Sequence, residues 1–388
     1  IVNVFCFFWA GISAIYASFF NDPNQNFNDA MIFYNLSARN YGLVPVDLLS
    51  SLFYQIIEGV GAIYIWTKIY DVFAYIGLEK IQYIGIGFNS LLISLTAVLG
   101  LNIFSMSKED DQSDNSRFIL FYLFCGIIFL FSSIHIRDSF TLLINTYIIF
   151  IIIRGLRNKH FFTNLSIYIN LFIIQLVIGF FRQDFIVIPL IFFTLAIISI
   201  FLEYLTFNKI GFHKKILITI LIISSIFIFI VIGFSIFPEI EYLFTSYSSL
   251  SNKTSSSDSL GLKYIVNANI IFRVLFGIIY TLIFPIPFWN GFFSNSVYDL
   301  FKSFNAIFMI FILPIIIGSI IELIRENDSK RSPRIFLTLI VIMFTMVISI
   351  SSMETRHLGN FIIPFIVLAS SFNKNKNLLL LNKINILF

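Results

Sequence analysis

Long apolar runs, separated by short polar stretches, follow one another along nearly the whole of the 388-residue chain. Many of these runs approach the ~20 residues that a helix needs to cross the hydrocarbon core of a bilayer. Hydrophobic residues make up 58% of the chain and charged residues only 12%, whereas a soluble domain needs a far more polar exterior. The pattern predicts an all-α, polytopic membrane protein with about ten transmembrane helices.

Basic residues are concentrated in four polar loops, and they indicate which side of the membrane each loop occupies. Cytoplasmic loops of membrane proteins carry an excess of lysine and arginine. If all four basic loops lie on that side, each stretch between them crosses the membrane an even number of times, and both chain termini are cytoplasmic. The four loops are residues 154–160, 209–215, 325–334 and 373–377.

Two apolar segments do not fit this scheme as complete spans and are expected to lie on the outer face. Residues 48–66 include a glutamate, and an ionised side chain in mid-bilayer is costly, so this segment is predicted to lie in the interface. Residues 270–289 include the sequence FPIPFW, in which proline breaks a helix, and they predict a re-entrant or interfacial segment. We therefore expect one integral membrane domain, 1–388, with large outer loops at residues 21–80 and 238–302.

Several charged residues are predicted to lie at the outer ends of spans rather than in long solvated loops. For any single Arg-Asp pair, a local salt bridge at a helix end is the alternative. As a group on one face, however, ionisable residues at membrane depth point to a functional site. Arginine suits phosphate and pyrophosphate, and a nearby carboxylate suits a general base. The residues are Asp22, Asp29, Arg137, Asp138, Arg182, Asp184, Arg356 and His357.

Other chemistries find little support in the sequence. Cys6 and Cys125 both lie in apolar runs and offer neither a disulfide framework nor the spacing of metal ligands. The chain lacks a P-loop, an HExxH sequence and a nucleophile elbow. A net charge of +4, placed in loops, gives no indication of nucleic-acid binding. No metal site is predicted, and whether a divalent cation assists the protein is left open.

Four stretches of the chain match short patterns of membrane enzymes. In the first, Asp29, Tyr34, Ala38 and Gly42 match a D-x(4)-Y-x(3)-A-x(3)-G signature. The others are FSSIHIRDSFTLLI, similar to a span end with Arg-Asp or Lys-Asp, FPIPFW, similar to an outer loop of oligosaccharide polymerases and transferases, and RHLGNFIIPFIVL, similar to a closing span. Together they resemble bacterial membrane glycosyltransferases of the GT-C type, and the resemblance implies a GT-C-like fold in a bacterial inner membrane. It also implies a polyprenyl-phosphate or polyprenyl-diphosphate sugar as donor and catalysis at the extracytoplasmic face.

The resemblance also implies roles for individual residues. It makes Asp29 the candidate general base, with Asp22 as its rival, because no acidic pair stands directly before the tyrosine. Three arginines, Arg137, Arg182 and Arg356, would hold the lipid phosphate. The remaining candidates for the substrate site are Tyr34, Asp138, Asp184 and His357.

The predicted function is therefore a glycosyltransferase in surface polysaccharide or glycolipid assembly, with a glycan or lipid acceptor, in contact with the lipid bilayer. A polysaccharide polymerase of the O-antigen type is the near alternative, because it shares the membrane setting and the use of arginines. A transporter or flippase of a lipid-linked or anionic solute is the alternative from another class. Such a protein is expected to carry charges through the middle of the membrane and to have related halves, and the sequence has neither feature.

Overall fold

The computed structural model of the protein is built of α-helices joined by short connections. It describes residues 1–19, 28–38, 59–107, 115–159, 161–182, 185–207, 265, 270–294, 296–325, 331–350 and 355–372, and no strand occurs among them. In chain order the helices are α1 (Val2–Phe19), α2 (Asn28–Ala38), α3 (Val60–Tyr75), α4 (Gln82–Ser107), α5 (Ser116–Phe124), α6 (Gly126–Ser133), α7 (Asp138–Arg157), α8 (Leu165–Phe181), α9 (Ile188–Phe207), α10 (Ile270–Ile283), α11 (Asn290–Phe293), α12 (Val297–Arg325), α13 (Ser332–Ile350), α14 (Thr355–Gly359) and α15 (Ile362–Ser371). The all-α prediction is confirmed for the described residues.

Four of the described helices, α4, α7, α12 and α13, are long and apolar enough to cross a bilayer. There are five such spans if the bent pair α5 and α6 counts as one. Shorter apolar helices, among them α8, α9 and α15, pack beside them. These helices mark the chain as a helical membrane protein. The expected total of about ten spans stays a prediction, because the segment 216–237, one of the expected spans, lies outside the described residues.

The helices separate the predicted site residues from one of the basic loops. Asp138 begins α7 and Arg182 directly follows α8. At the other end of α7, Arg157 donates a hydrogen bond to the carbonyl of Met106 near the end of α4, at 3.1 Å. A 20-residue helix is about 30 Å long, close to the hydrophobic thickness of a membrane. We call the end that carries Asp138 and Arg182 the arginine end.

The segment between α4 and α7 contains a sharp bend that its apolar pattern does not predict. α5 and α6 meet at Cys125 and are inclined at 64° to each other. The next residue, Gly126, lies against the backbone of α12, where an added Cβ would be 2.5 Å from the nitrogen of Asn305 and 2.8 Å from the carbonyl oxygen of Phe301. This close approach of two backbones admits only glycine, and glycine also lowers the cost of interrupting the helix.

α3 overlaps the segment 48–66 predicted to lie in the membrane interface, but it continues past the predicted end at residue 66. The helix runs from Val60 to Tyr75, after Gly59 in the left-handed region with φ of 85°. Trp66 and Tyr70, one helical turn apart, are both fully buried, so the packed face extends past the predicted end. Within the described part of the chain, α3 is not among the helices that meet the requirements of a span. The first part of the predicted segment, 48–58, lies outside the described residues.

A proline-containing turn ends α10, as the sequence predicts. The helix stops at Ile283, and residues 284–289 lead into the one-turn helix α11. α10 packs against α12 and α13. The hydroxyl of Thr355, next to Arg356, donates to the carbonyl of Thr281 at 3.4 Å, so the FPIPFW turn lies at the arginine end. A re-entrant course for this segment stays a prediction.

Candidate functional site

The carboxylate of Asp138 lies at the centre of the arginine end. Asp138 is fully buried in the first turn of α7, where the helix dipole favours a negative charge. Its Oδ2 accepts hydrogen bonds from Nε and Nη2 of Arg356, at 3.0 and 2.6 Å. Its Oδ1 accepts from Nη1 of Arg182 and from Nδ2 of Asn360, both at 3.3 Å. Four donors therefore converge on this one carboxylate.

Arg356 connects Asp138 to a second carboxylate, that of Asp29. Arg356 belongs to the short helix α14 and is largely buried. While its Nε and Nη2 face Asp138, its Nη1 donates to Oδ2 of Asp29 at 2.8 Å. Asp29 lies in the first turn of α2, and 48% of its side chain is exposed. One carboxylate of the pair is therefore enclosed by protein, and the other lies at the accessible edge.

Arg182 and Arg137 complete the cluster from the two helix ends beside Asp138. Arg182 is the C-cap of α8, where a positive charge faces the negative end of the helix dipole, and it stacks on the ring of Phe185 at 4.5 Å. Arg137 directly precedes α7 and lies 5.6 Å from the centre of the Phe33 ring. Its charge, like those of the other two arginines, attracts the carboxylate of Asp138.

The connection between α6 and α7 is held by a buried asparagine that is not among the predicted site residues. Asn89 of α4 donates from Nδ2 to the carbonyls of Ile134 and Ile136, at 3.0 and 3.1 Å. These bonds fix the extended backbone that leads into Arg137 and Asp138. The available sequence signal is a single amide inside an apolar run, because such a group is buried only where it finds hydrogen-bond partners.

A second group of buried polar residues supports Asp138 through Asn360. None of its members is among the predicted site residues. Asn360, which donates to Asp138, forms a short hydrogen bond with the hydroxyl of Thr141. The side chain of Asn145 donates to the backbone carbonyl of Asn360 at 3.2 Å. Asp138, Thr141 and Asn145 lie three and four residues apart, which places them on one face of α7. In the sequence, Asn360 lies more than 200 residues away from the residues of this face.

Tyr34, predicted to bind substrate, is turned toward α3 and α4. Its hydroxyl donates to the carbonyl of Lys80 at 2.6 Å. Its ring lies edge-on to the rings of Tyr70 and His135, at 6.0 and 6.2 Å between centres. It therefore borders an aromatic cluster next to the arginines, and a role in binding substrate stays a prediction.

Five of the predicted site residues come together in the structure. Their predicted roles, as general base and as phosphate-binding residues, stay predictions. His357 is half-buried and follows Arg356 on α14. Asp22 and Asp184 lie outside the described residues. The five that meet are Asp29, Arg137, Asp138, Arg182 and Arg356.

Guanidinium groups are concentrated in this cluster. Among the described residues, three arginines and two carboxylates meet in a largely buried setting. A charge in a low-dielectric environment is stabilised strongly by an ion of opposite sign, and guanidinium groups bind phosphate through paired hydrogen bonds. Within the described residues, no group of three His, Cys, Asp or Glu side chains comes together that could hold a metal ion. The arrangement is therefore suited to an anionic ligand.

Comparisons with known proteins do not extend this picture. No protein-family model, no curated protein and no solved structure matches the chain significantly. The class that the fold defines is a helical membrane protein with a buried arginine–carboxylate cluster.

Proposed function

We propose that the protein is a membrane glycosyltransferase of the GT-C type, which takes a sugar from a polyprenyl-linked donor at the extracytoplasmic face of a bacterial cell membrane. The observation that carries the proposal is the bridge that Arg356 makes between buried Asp138 and half-exposed Asp29, with two further arginines beside it. Several guanidinium groups next to an accessible carboxylate suit a donor with an anionic leaving group and an acceptor with a hydroxyl. In this proposal the product is a surface polysaccharide or a glycolipid.

The arginines serve the leaving group in this reaction. The bond between the anomeric carbon of the sugar and the donor oxygen breaks, and the lipid phosphate or diphosphate departs with the electron pair. Arg137, Arg182 and Arg356 stabilise the negative charge that develops on the departing oxygen. Arg182 and Arg356 are held in position before the substrate arrives, because Asp138, the partner that they share, is itself buried and hydrogen-bonded. Fixed donors need no reorganisation as the bond breaks.

The two carboxylates have different roles in this reaction. Asp29 accepts the proton of the acceptor hydroxyl as the oxygen attacks the anomeric carbon, and its exposed position at the start of α2 allows the acceptor to approach. Asp138 has no exposed surface and already accepts four hydrogen bonds, so it positions the arginines instead of meeting the substrate. The accessible carboxylate is therefore the base in this proposal.

Sugar transfer by the purified protein tests the proposal. The protein in lipid nanodiscs is incubated with radiolabelled polyprenyl-phosphate and polyprenyl-diphosphate sugars and with glycan or lipid acceptors, and labelled products are separated by chromatography. Release or transfer of sugar from one donor class is expected. A ladder of products of increasing length would instead support the polysaccharide polymerase. Failure of every donor and acceptor pair to yield a product would contradict the proposal.

The transporter alternative is tested with the same donors in sealed vesicles that contain the protein. Movement of intact labelled donor across the membrane, without cleavage of the sugar, would replace transfer by transport. Cleavage at an accessible face, without net movement of the sugar-linked lipid, is the result that the proposed enzyme predicts.

A further inference from the structure

The ring of His135 is enclosed by aromatic side chains directly beside the arginine cluster. It has no exposed surface. Trp66 of α3 stacks on it, with 4.0 Å between ring centres and 32° between planes. Tyr70, one turn further along α3, and Tyr34 of α2 lie 6.0 and 6.2 Å away. We call the three side chains around His135, those of Trp66, Tyr70 and Tyr34, the aromatic box.

On its fourth side the His135 ring lies directly against the backbone of α4, with no side chain between them. A Cβ at Gly85 would lie 2.0 Å from Cδ2 and 2.2 Å from Nε2 of His135. Real Cβ atoms do not come so close to other heavy atoms, so the space between α4 and the ring admits only glycine. His135 is therefore held in one position by contacts with α2, α3 and α4.

His135 also belongs to the connection that leads into two charged residues of the site. This connection, residues 134–137, joins α6 to α7, and Asn89 binds its carbonyls at two places. Arg137 and Asp138 follow His135 by two and three residues. A displacement of the ring from the aromatic box would therefore move the backbone that carries both residues.

Neither ring nitrogen of His135 has a hydrogen bond to another residue in the part of the chain that the structure describes. Burial without such a partner disfavours the protonated ring and lowers its pKa to about 3. Among the described residues, the titratable groups that face the ring are the phenols of Tyr34 and Tyr70, and the charges of Arg137 and Asp138 follow along its own connection. A fourth positive charge, on the His135 ring, would also be repelled by the three arginines.

We propose that His135 is a positioning residue that acts as a pH-sensitive latch: the neutral ring locks the connection 134–137 in the aromatic box, and protonation releases it together with Arg137 and Asp138. The effect on sugar transfer rests on the proposed function, whereas the release itself does not. In the closed state the ring is neutral; in the released state it is solvated and takes up a proton readily. Acid therefore favours release, and neutral pH favours the assembled site.

The range of pH in which the latch opens follows from linkage. A solvated histidine has a pKa of about 6.5, and the enclosed ring has a pKa of about 3. The free energy that favours the closed state begins to fall as the pH drops below the first value, and no more is lost below the second. The latch opens where this loss exceeds the free energy that favours closure at neutral pH, and the midpoint of release then lies between the two values. One proton is taken up, so transfer falls by about tenfold for each pH unit between the midpoint and the second value.

Tryptophan fluorescence of the purified protein measures the latch without any substrate. Trp66 is fully buried against the ring, so release exposes it and changes its emission. A reversible step between pH 6.5 and 3 is expected in the wild-type protein. The step should be absent from Trp66→Phe, which removes the reporter, and from His135→Phe and His135→Gln, which remove the titrating group.

The same variants give the pH dependence of sugar transfer, each normalised to its own rate at neutral pH. Wild-type transfer should decline with the midpoint of the fluorescence step, and both His135 variants should lack that decline. A fluorescence step of unchanged midpoint in both His135 variants would overturn the latch, as would the absence of any step in the wild type. If no donor is turned over by any variant, the proposed function fails, and the fluorescence result still decides the latch.

Discussion

Replacing Asp138 by Asn tests whether the buried carboxylate holds the arginine cluster together. Asparagine keeps the size of the side chain but removes the charge that faces Arg182 and Arg356. Removing one partner of a buried ion pair costs about 3–5 kcal/mol, because an uncompensated buried charge is left behind. Here Arg182 and Arg356 both lose a charged partner, in a site where Asp138 has no exposed surface. We therefore expect the free energy of unfolding to fall by an amount in this range.

The chain offers a matched control for this substitution. Asp71 pairs with Lys80 at 2.7 Å, close to the 2.6 Å between Asp138 and Arg356. In this pair, however, 47% of the Asp71 side chain and 26% of the Lys80 side chain are exposed. Exposed ion pairs contribute about 0–1 kcal/mol. Unfolding of each purified variant is followed by titration with sodium dodecyl sulfate in mixed micelles. A loss in Asp138→Asn no larger than that in Asp71→Asn would refute the account of the cluster.

Two further substitutions probe the site and the fold. Arg356→Lys should lower kcat/KM for the donor by about ten- to a hundredfold. A lysine cannot reproduce the hydrogen bonds of the guanidinium group to charged partners, and such bonds contribute about 1.5–3 kcal/mol. A near-normal kcat/KM with a normal membrane yield would contradict this. Gly126→Ala should destabilise the protein by about 1–3 kcal/mol in the same unfolding titration, because its Cβ meets the α12 backbone. Gly87→Ala is the control expected to show little change, because its Cβ would make an ordinary van der Waals contact with Phe7, at 3.5 Å.

The grouping of the charged residues could be predicted from the sequence because it depends on topology alone. Basic loops assign the sides of the membrane, and the assignment places Arg137, Arg182 and Arg356 at one end of the helices. The same reasoning could not predict that Arg356 connects Asp138 to Asp29, since these residues are separated by more than 200 positions. A pairing of this kind depends on how the helices pack.

The bend at Cys125 and the extent of α3 were missed for a related reason. Gly126 is needed where two backbones touch, and a lone glycine in an apolar run does not identify the helix that it will meet. The end of α3 depends on Tyr70, which is buried by the neighbouring helices although it lies beyond the predicted segment 48–66. Apolar pattern and charge thus predict which elements exist, whereas close contacts between distant elements decide where they bend and end.

Asp29→Asn, compared with the wild type in paired measurements of donor binding and sugar transfer, tests the central claim most directly. Loss of a general base lowers the rate by about a hundred- to ten-thousandfold, whereas the three arginines still hold the donor. The account predicts that the purified variant binds the labelled polyprenyl-linked donor with an affinity close to that of the wild type and transfers its sugar at least about a hundredfold more slowly. Near-normal transfer by Asp29→Asn would contradict the account.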